Sequence, residues 1–306
     1  MAARSSWSPT ACTTAFSTAT EAHPMPGFLD ALSYEFMRNA VLAGLLAAVL
    51  CGIVGPFVVV KRLAFLSDGL SHAAFGGMGI CFFLGLDPLL GAMAVALLCA
   101  VGLGLVDTET IRSYDALIGV FWAVGLAVGI VFVYKTPGFA PNLMTYLFGN
   151  ILLVSRHDVG ELLVLAVSVL LILALFWKGI VAVAFDEVFA RVQGMPVRVL
   201  MVLLLTMIAL SVVILIQVVG IILVVALLTI PPLIGLMLLK DLRGVLALST
   251  AIGVAITLGG LGLSYAFDLP SGPAIILLGA LLLFAVYAGR KLRGGALRSL
   301  PALRRE

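Results

Sequence analysis

Apolar stretches of about 20 residues follow one another along most of this chain, at roughly 37–60, 68–86, 88–106, 116–134, 159–177, 197–217, 220–239, 245–264 and 273–289. Each is as long as a helix must be to cross a hydrocarbon core of about 30 Å. In lipid no water satisfies a backbone amide, so only helices or a closed barrel span. A barrel needs short strands of alternating polarity, and runs such as LLVLAVSVLLILALFW do not alternate. The fold class read from this pattern is all-α: a polytopic membrane protein of about nine transmembrane helices. It falls to eight if residues 28–40 are an interfacial helix or if the region around 220 is a single span. Composition agrees, since 63% of residues are hydrophobic, 11% are charged and the mean hydropathy is +1.24. A soluble domain could not hide that much apolar surface.

Basic residues set the expected orientation. If the first span runs from outside to inside, the cytoplasmic face receives Lys61, Arg62, Arg112, Lys178, Arg191, Arg198, Lys240, Arg243, Arg290, Lys291, Arg293, Arg298, Arg304 and Arg305. Only Arg4, Arg38, Lys135 and Arg156 stay outside. The chain is thus expected to be multi-pass in the cell membrane with a cytoplasmic C-terminus. Residues 28–290 form the transmembrane domain, and 291–306 a basic tail suited to anionic lipid headgroups. Residues 1–27 are rich in Ser, Thr, Ala and Pro, lack a signal-peptide core and read as a disordered leader or a mis-set start, with Met25 the alternative beginning. Cys12, Cys51, Cys81 and Cys99 show no paired spacing and read as inert thiols.

The sharpest chemical signal is LSDGLSHAAFGGMG. Asp68 and His72 are four apart, so on a helix they share one face, with Ser71 beside them. An ionisable group near the bilayer centre costs about 2.5–3.5 kcal/mol on insertion scales, which makes such a pair a functional candidate. Carboxylate with imidazole suits zinc, manganese or ferrous iron. The alternative is that Asp68 caps the second helix after Ser67 while His72 meets a backbone carbonyl. The glycines behind the pair, with Gly125 and Gly129 in the fourth span, suit close helix packing.

Three further segments stand out. FDEVFARV within residues 184–200 predicts a short amphipathic helix, started near Asp186, ended by Gly194 and followed by Pro196. It could be an interfacial connector or dock on a partner. Pro231 and Pro232 fall mid-span and predict a helix break or kink that exposes carbonyls, with packing alone as the alternative. His157 with Asp158, on the outer face, reads as a solvated loop pair rather than a metal-capture site.

No lysine follows a glycine, so the G-x-x-x-x-G-K-[ST] phosphate loop is absent. Nor does an S-x-x-K, H-E-x-x-H or G-x-S-x-G pattern support an enzyme. The ordered run GPFVVVKRLAFLSDGLSHAAFGGMGICFFLG, LFGNILLVSRHDV, AFDEVFARVQGMPVRVL, VVGIILVVALLTIPPLIGLML and FDLPSGPAIILL resembles the zinc/manganese-type permease family of bacterial ABC importers. The resemblance covers about residues 30–290 and departs from the family in its N-terminal extension and its paired prolines.

It implies a homodimeric permease related in fold to the vitamin B12 and siderophore permeases. Its partners would be two cytoplasmic ATPase subunits, an extracytoplasmic metal-binding protein and lipid, with no nucleic acid. The segment with Asp186, Glu187 and Gly194 matches the family's coupling helix, placed at about 184–195, and D-x-x-S-H falls on Asp68, Ser71 and His72. No resident cofactor is expected, because the zinc, manganese or iron ion is cargo. Two alternatives remain: a proton-coupled secondary carrier, and an ABC permease for a chelated metal or vitamin.

Overall fold

The apolar stretches become helices because neither lipid nor a packed core offers their amides another partner. The computed structural model describes residues 33–105, 114–136, 149 and 151–294, and among these all regular structure is helical. The leader lies outside the described residues. In order the helices are α1 (Glu35–Val60), α2 (Ala64–Phe83), α3 (Pro88–Leu105), α4 (Tyr114–Lys135), α5 (Arg156–Leu175), α6 (Trp177–Phe185), α7 (Glu187–Val192), α8 (Val197–Val219), α9 (Ile221–Leu238), α10 (Leu242–Phe267) and α11 (Ser271–Gly294). A single 3-10 turn, Ile151–Leu153, precedes α5. Each expected span coincides with one long helix, its ends shifted by a few residues. The last span is longer than expected: α11 takes in residues 291–294, which the sequence assigned to the tail.

Eight of these helices are long and apolar enough to cross a membrane. The ninth long helix, α2, is diluted by Asp68, His72, two serines and its glycines. It is held instead by position, packed between α3 and α4. The centre of the bundle is α1, with 72% of its most apolar stretch buried, whereas α4 buries 11% and forms an outer wall. α1 packs on α5, α9 and α10, and α8 packs on α3.

Small residues set the spacing around α2. A Cβ on Gly76 would stand 2.8 Å from the Gly125 carbonyl oxygen, and one on Gly79 2.7 Å from that of Gly129. Gly77 faces Gly91 of α3 just as closely. The α2 backbone is therefore pinned on two sides with no side chain between.

The predicted break in α9 does not form. The helix runs unbroken through Pro231 and Pro232, and both rings are buried. Pro232 removes the amide that would bond the Leu228 carbonyl. Over that oxygen lies Gly55 of α1, whose Cβ, were there one, would be 2.6 Å away. A glycine backbone thus covers the freed carbonyl, a contact of the weak C–H to oxygen kind.

Two ion pairs mark the two ends of the bundle. Arg156 Nε lies 2.6 Å from Glu35 Oε1, joining the first residues of α5 and α1. Lys61, just past the end of α1, pairs with Glu187, the first residue of α7. Lys61 with Glu187 brings the α1–α2 and α6–α8 junctions to one end, and Arg243 of α10, 5.6 Å from the Trp177 ring centroid of α6, adds the α9–α10 junction.

Candidate functional site

Asp68 sits inside α2, not at its start. The helix begins four residues earlier because α1 closes on itself: Leu63 N–H donates to the Val58 carbonyl at 2.8 Å and Arg62 N–H to that of Val59 at 3.1 Å. This is a Schellman closure, with Arg62 at φ 58° where glycine is usual. Leu63 then serves as N-cap without a side-chain bond, and Ser67 donates its hydroxyl to the Ala64 carbonyl at 2.8 Å. The capping alternative for Asp68 fails on this geometry, which leaves its carboxylate uncommitted to the helix start.

His72 Nε2 and Asp68 Oδ1 lie 3.8 Å apart on the expected shared face. The imidazole is 13% exposed and the carboxylate 32%. Two ligands bound to one ion at about 2.0–2.2 Å with a tetrahedral angle would be about 3.4 Å apart, so a small rotation brings both onto a shared metal. On the other side of His72 lies Trp122 of α4, with ring centroids 5.3 Å apart and planes tilted by 46°. The sequence reading missed Trp122, since nothing in its local pattern says which face meets α2.

Ser71 does not join the pair as an open ligand. It is fully buried, and its hydroxyl donates to the Ser67 carbonyl at 2.7 Å. One carboxylate and one imidazole are an incomplete set for any transition ion.

The predicted amphipathic helix forms as α7. Asp186 caps it by accepting from Phe189 N–H at 2.9 Å, Gly194 turns the chain at φ 72°, and Pro196 precedes α8. Its outer face is apolar, with Val188, Phe189 and Val192 exposed while Ala190 is buried. Neither acid is free on that face: Asp186 holds the cap and Glu187 reaches Lys61.

At the opposite end His157, Asp158 and Glu161 put one ligand atom each within 4.8 Å of one another. Asp158, however, closes a capping box with Ser155, accepting from its amide at 2.9 Å. His157 Nδ1 is 3.5 Å from Glu161 Oε1 and is largely exposed. The exposed His157 was expected on a loop, but it lies in the first turn of α5, because the Ser155–Asp158 capping box starts the helix there.

The described residues form a polytopic helical bundle of membrane-spanning type, with a carboxylate and an imidazole on one glycine-packed helix. The chain belongs to the ABC 3 transport family, whose model matches residues 33–290. It is 33% identical, over 83% of its length and 87% of the relative's, to the manganese transport system membrane protein MntC of Halalkalibacterium halodurans. An uncharacterised membrane protein of Synechocystis is 38% identical over 86% of this chain and 94% of that one.

Among solved structures, PsaBC from Streptococcus pneumoniae in complex with Fab superposes with a TM-score of 0.77 at 30% identity, covering 87% of this chain and 98% of that one. The fold is also shared with a metal-chelate type ABC transporter in an inward-facing conformation, TM-score 0.63 at 19% identity, covering 83% and 86% of the two chains. The resemblance read from the motifs holds.

Proposed function

We infer that this chain is the membrane subunit of an ATP-driven importer for a divalent transition metal ion, manganese or zinc ahead of iron. The observation that carries the reading is the Asp68 and His72 pair, set 3.8 Å apart on a half-buried face of α2. The names of the manganese-transport relatives support the choice of cargo.

In this reading an extracytoplasmic metal-binding protein delivers the ion. A second copy of the chain brings a matching carboxylate and imidazole, doubling a donor set that one copy leaves incomplete. The exposed apolar face of α4, with Val120, Val124 and Val131, supports that placement, because it adjoins the helix carrying the pair. A partly dehydrated ion held by few protein ligands can also leave, as passage demands. Hydrolysis belongs to separate cytoplasmic ATPase subunits docked on the apolar face of α7. Lys178, Arg191, Arg198, Lys240 and Arg243 at the α7 end support a cytoplasmic placement for it.

The test is uptake of radioactive manganese and zinc by cells expressing the complete transporter. Asp68→Asn and His72→Ala should each lower uptake more than about ten-fold, a loss of at least ~1.4 kcal/mol in transition-state terms. Both variants should still reach the membrane and purify with the ATPase. Normal uptake by either would sink the metal role. Proton-driven transport by this chain alone in liposomes would instead establish a secondary carrier. Transport of a chelate or vitamin by both variants at full rate would establish the third reading.

A further inference from the structure

A short physical route runs from α7 to the helix that carries Asp68 and His72. Lys61 Nζ meets the Glu187 carboxylate across 126 positions of sequence, with the two side chains only 13% and 27% exposed. Water screens such a pair less than it screens Arg156 with Glu35, whose side chains are 68% and 60% exposed.

Lys61 is not on a slack loop. It is the C-cap of α1, and three backbone bonds close the corner: Lys61 N–H to Phe57, Arg62 N–H to Val59 and Leu63 N–H to Val58. Arg62 holds a left-handed conformation that an L side chain adopts only at a cost, so the surrounding bonds must fix it. Leu63 is buried, its carbonyl accepts from Ser67 N–H at 3.0 Å, and α2 starts at the very next residue. From there Asp68 and His72 lie four and eight helical residues on, about 6 and 12 Å at 1.5 Å per residue. Displacing Lys61 therefore displaces the start of α2, with no flexible residue between to absorb the motion.

We propose that the ion pair of Lys61 with Glu187 transmits movement of α7 to α2, and that both are positioning residues for metal passage. The proposal rests on the reading of α7 as the coupling helix and adds the contact through which it acts. It also accounts for the inward turn of Glu187, which removes that carboxylate from the exposed apolar face of α7.

The experiment uses the complete transporter in proteoliposomes, with manganese accumulation and ATP hydrolysis measured together. Three variants are compared with the unaltered chain: Lys61→Gln, Glu187→Gln, and the exchange of Lys61→Glu with Glu187→Lys. Lys61→Gln should keep assembly and hydrolysis while manganese moved per ATP falls at least five-fold. Glu187→Gln should lose the same coupling, and the exchange should recover it to within two-fold.

An unchanged ratio of manganese to ATP in Lys61→Gln would overturn the proposal. So would loss of assembly in all three variants, which would make the pair a folding contact, or assembly without recovered coupling in the exchange. Absence of ATP-dependent uptake by the unaltered transporter is a different result, and it overturns the importer reading itself.

Discussion

At Asp68 and His72 the decisive quantity is how much water each loses. A carboxylate 32% exposed on the flank of a bundle is neither an isolated buried charge nor a solvated one. The apolar surroundings of the bundle penalise it, and on the proposed reading an arriving cation repays part of that cost. Ser71 makes a sharp control beside them, because it is fully buried with its hydroxyl held on the Ser67 carbonyl. Ser71→Ala should leave manganese uptake within about two-fold, at a stability cost of about 0.5–1.5 kcal/mol. A loss as deep as that of His72→Ala, read in the same uptake assay, would return the hydroxyl to the ligand set. The pairing of Asp68 with His72 was legible because spacing of four needs only a helix. The start of that helix was not: Ser67 and Asp68 look like a cap, while the true corner turns on Arg62 in a conformation that sequence reading expects of glycine. Trp122 was invisible for a different reason, being brought to His72 by contact between helices.

At the scale of helices, α2 departs from the hydropathy rule that the other long helices obey, and close packing replaces lipid affinity. That argument makes a paired prediction within α4. Gly125→Ala places a Cβ against the Ala73 backbone of α2, whereas Gly119→Ala points into open space. The first should cost about 1–3 kcal/mol as overpacking, and the second should be neutral or slightly stabilising, since alanine replaces a helical glycine. Melting of the purified protein in detergent distinguishes them, and equal melting temperatures would mean that α2 and α4 do not touch here. The glycines were readable as packing residues, but their partners depended on which helices became neighbours. The paired prolines show the same limit. Local rules say that Pro231 and Pro232 open the backbone, and the rule is overridden because Gly55 of another helix lies over the Leu228 oxygen.

For the whole molecule, the two ion pairs fix which junctions share an end without reference to any membrane. Glu35 with Arg156 defines one end, and Lys61 with Glu187 the other. Span count alone supplied this alternation from the sequence, since lipid forces each long apolar run to cross. The pairs themselves, far apart along the chain, could not be foreseen. What the bundle leaves open is which end faces the cytoplasm, and the positive-inside rule favours the α7 end. The end with α7 carries Lys61, Arg62, Lys178, Arg191, Arg198, Lys240 and Arg243, against Arg38, Lys135 and Arg156 at the other. In a chain with Cys12, Cys51, Cys81 and Cys99 replaced by alanine, a cysteine at position 192 should react with a membrane-impermeant maleimide only in inverted vesicles. Val192 is 81% exposed on α7, so its replacement is reachable in vesicles that hold this chain without the ATPase. A cysteine at position 157, where His157 is also exposed, should react only in intact cells. The reverse pattern would turn α7 away from ATP and remove the docking surface from the proposed mechanism. The observed pattern therefore decides orientation and tests whether α7 can meet an ATPase at all.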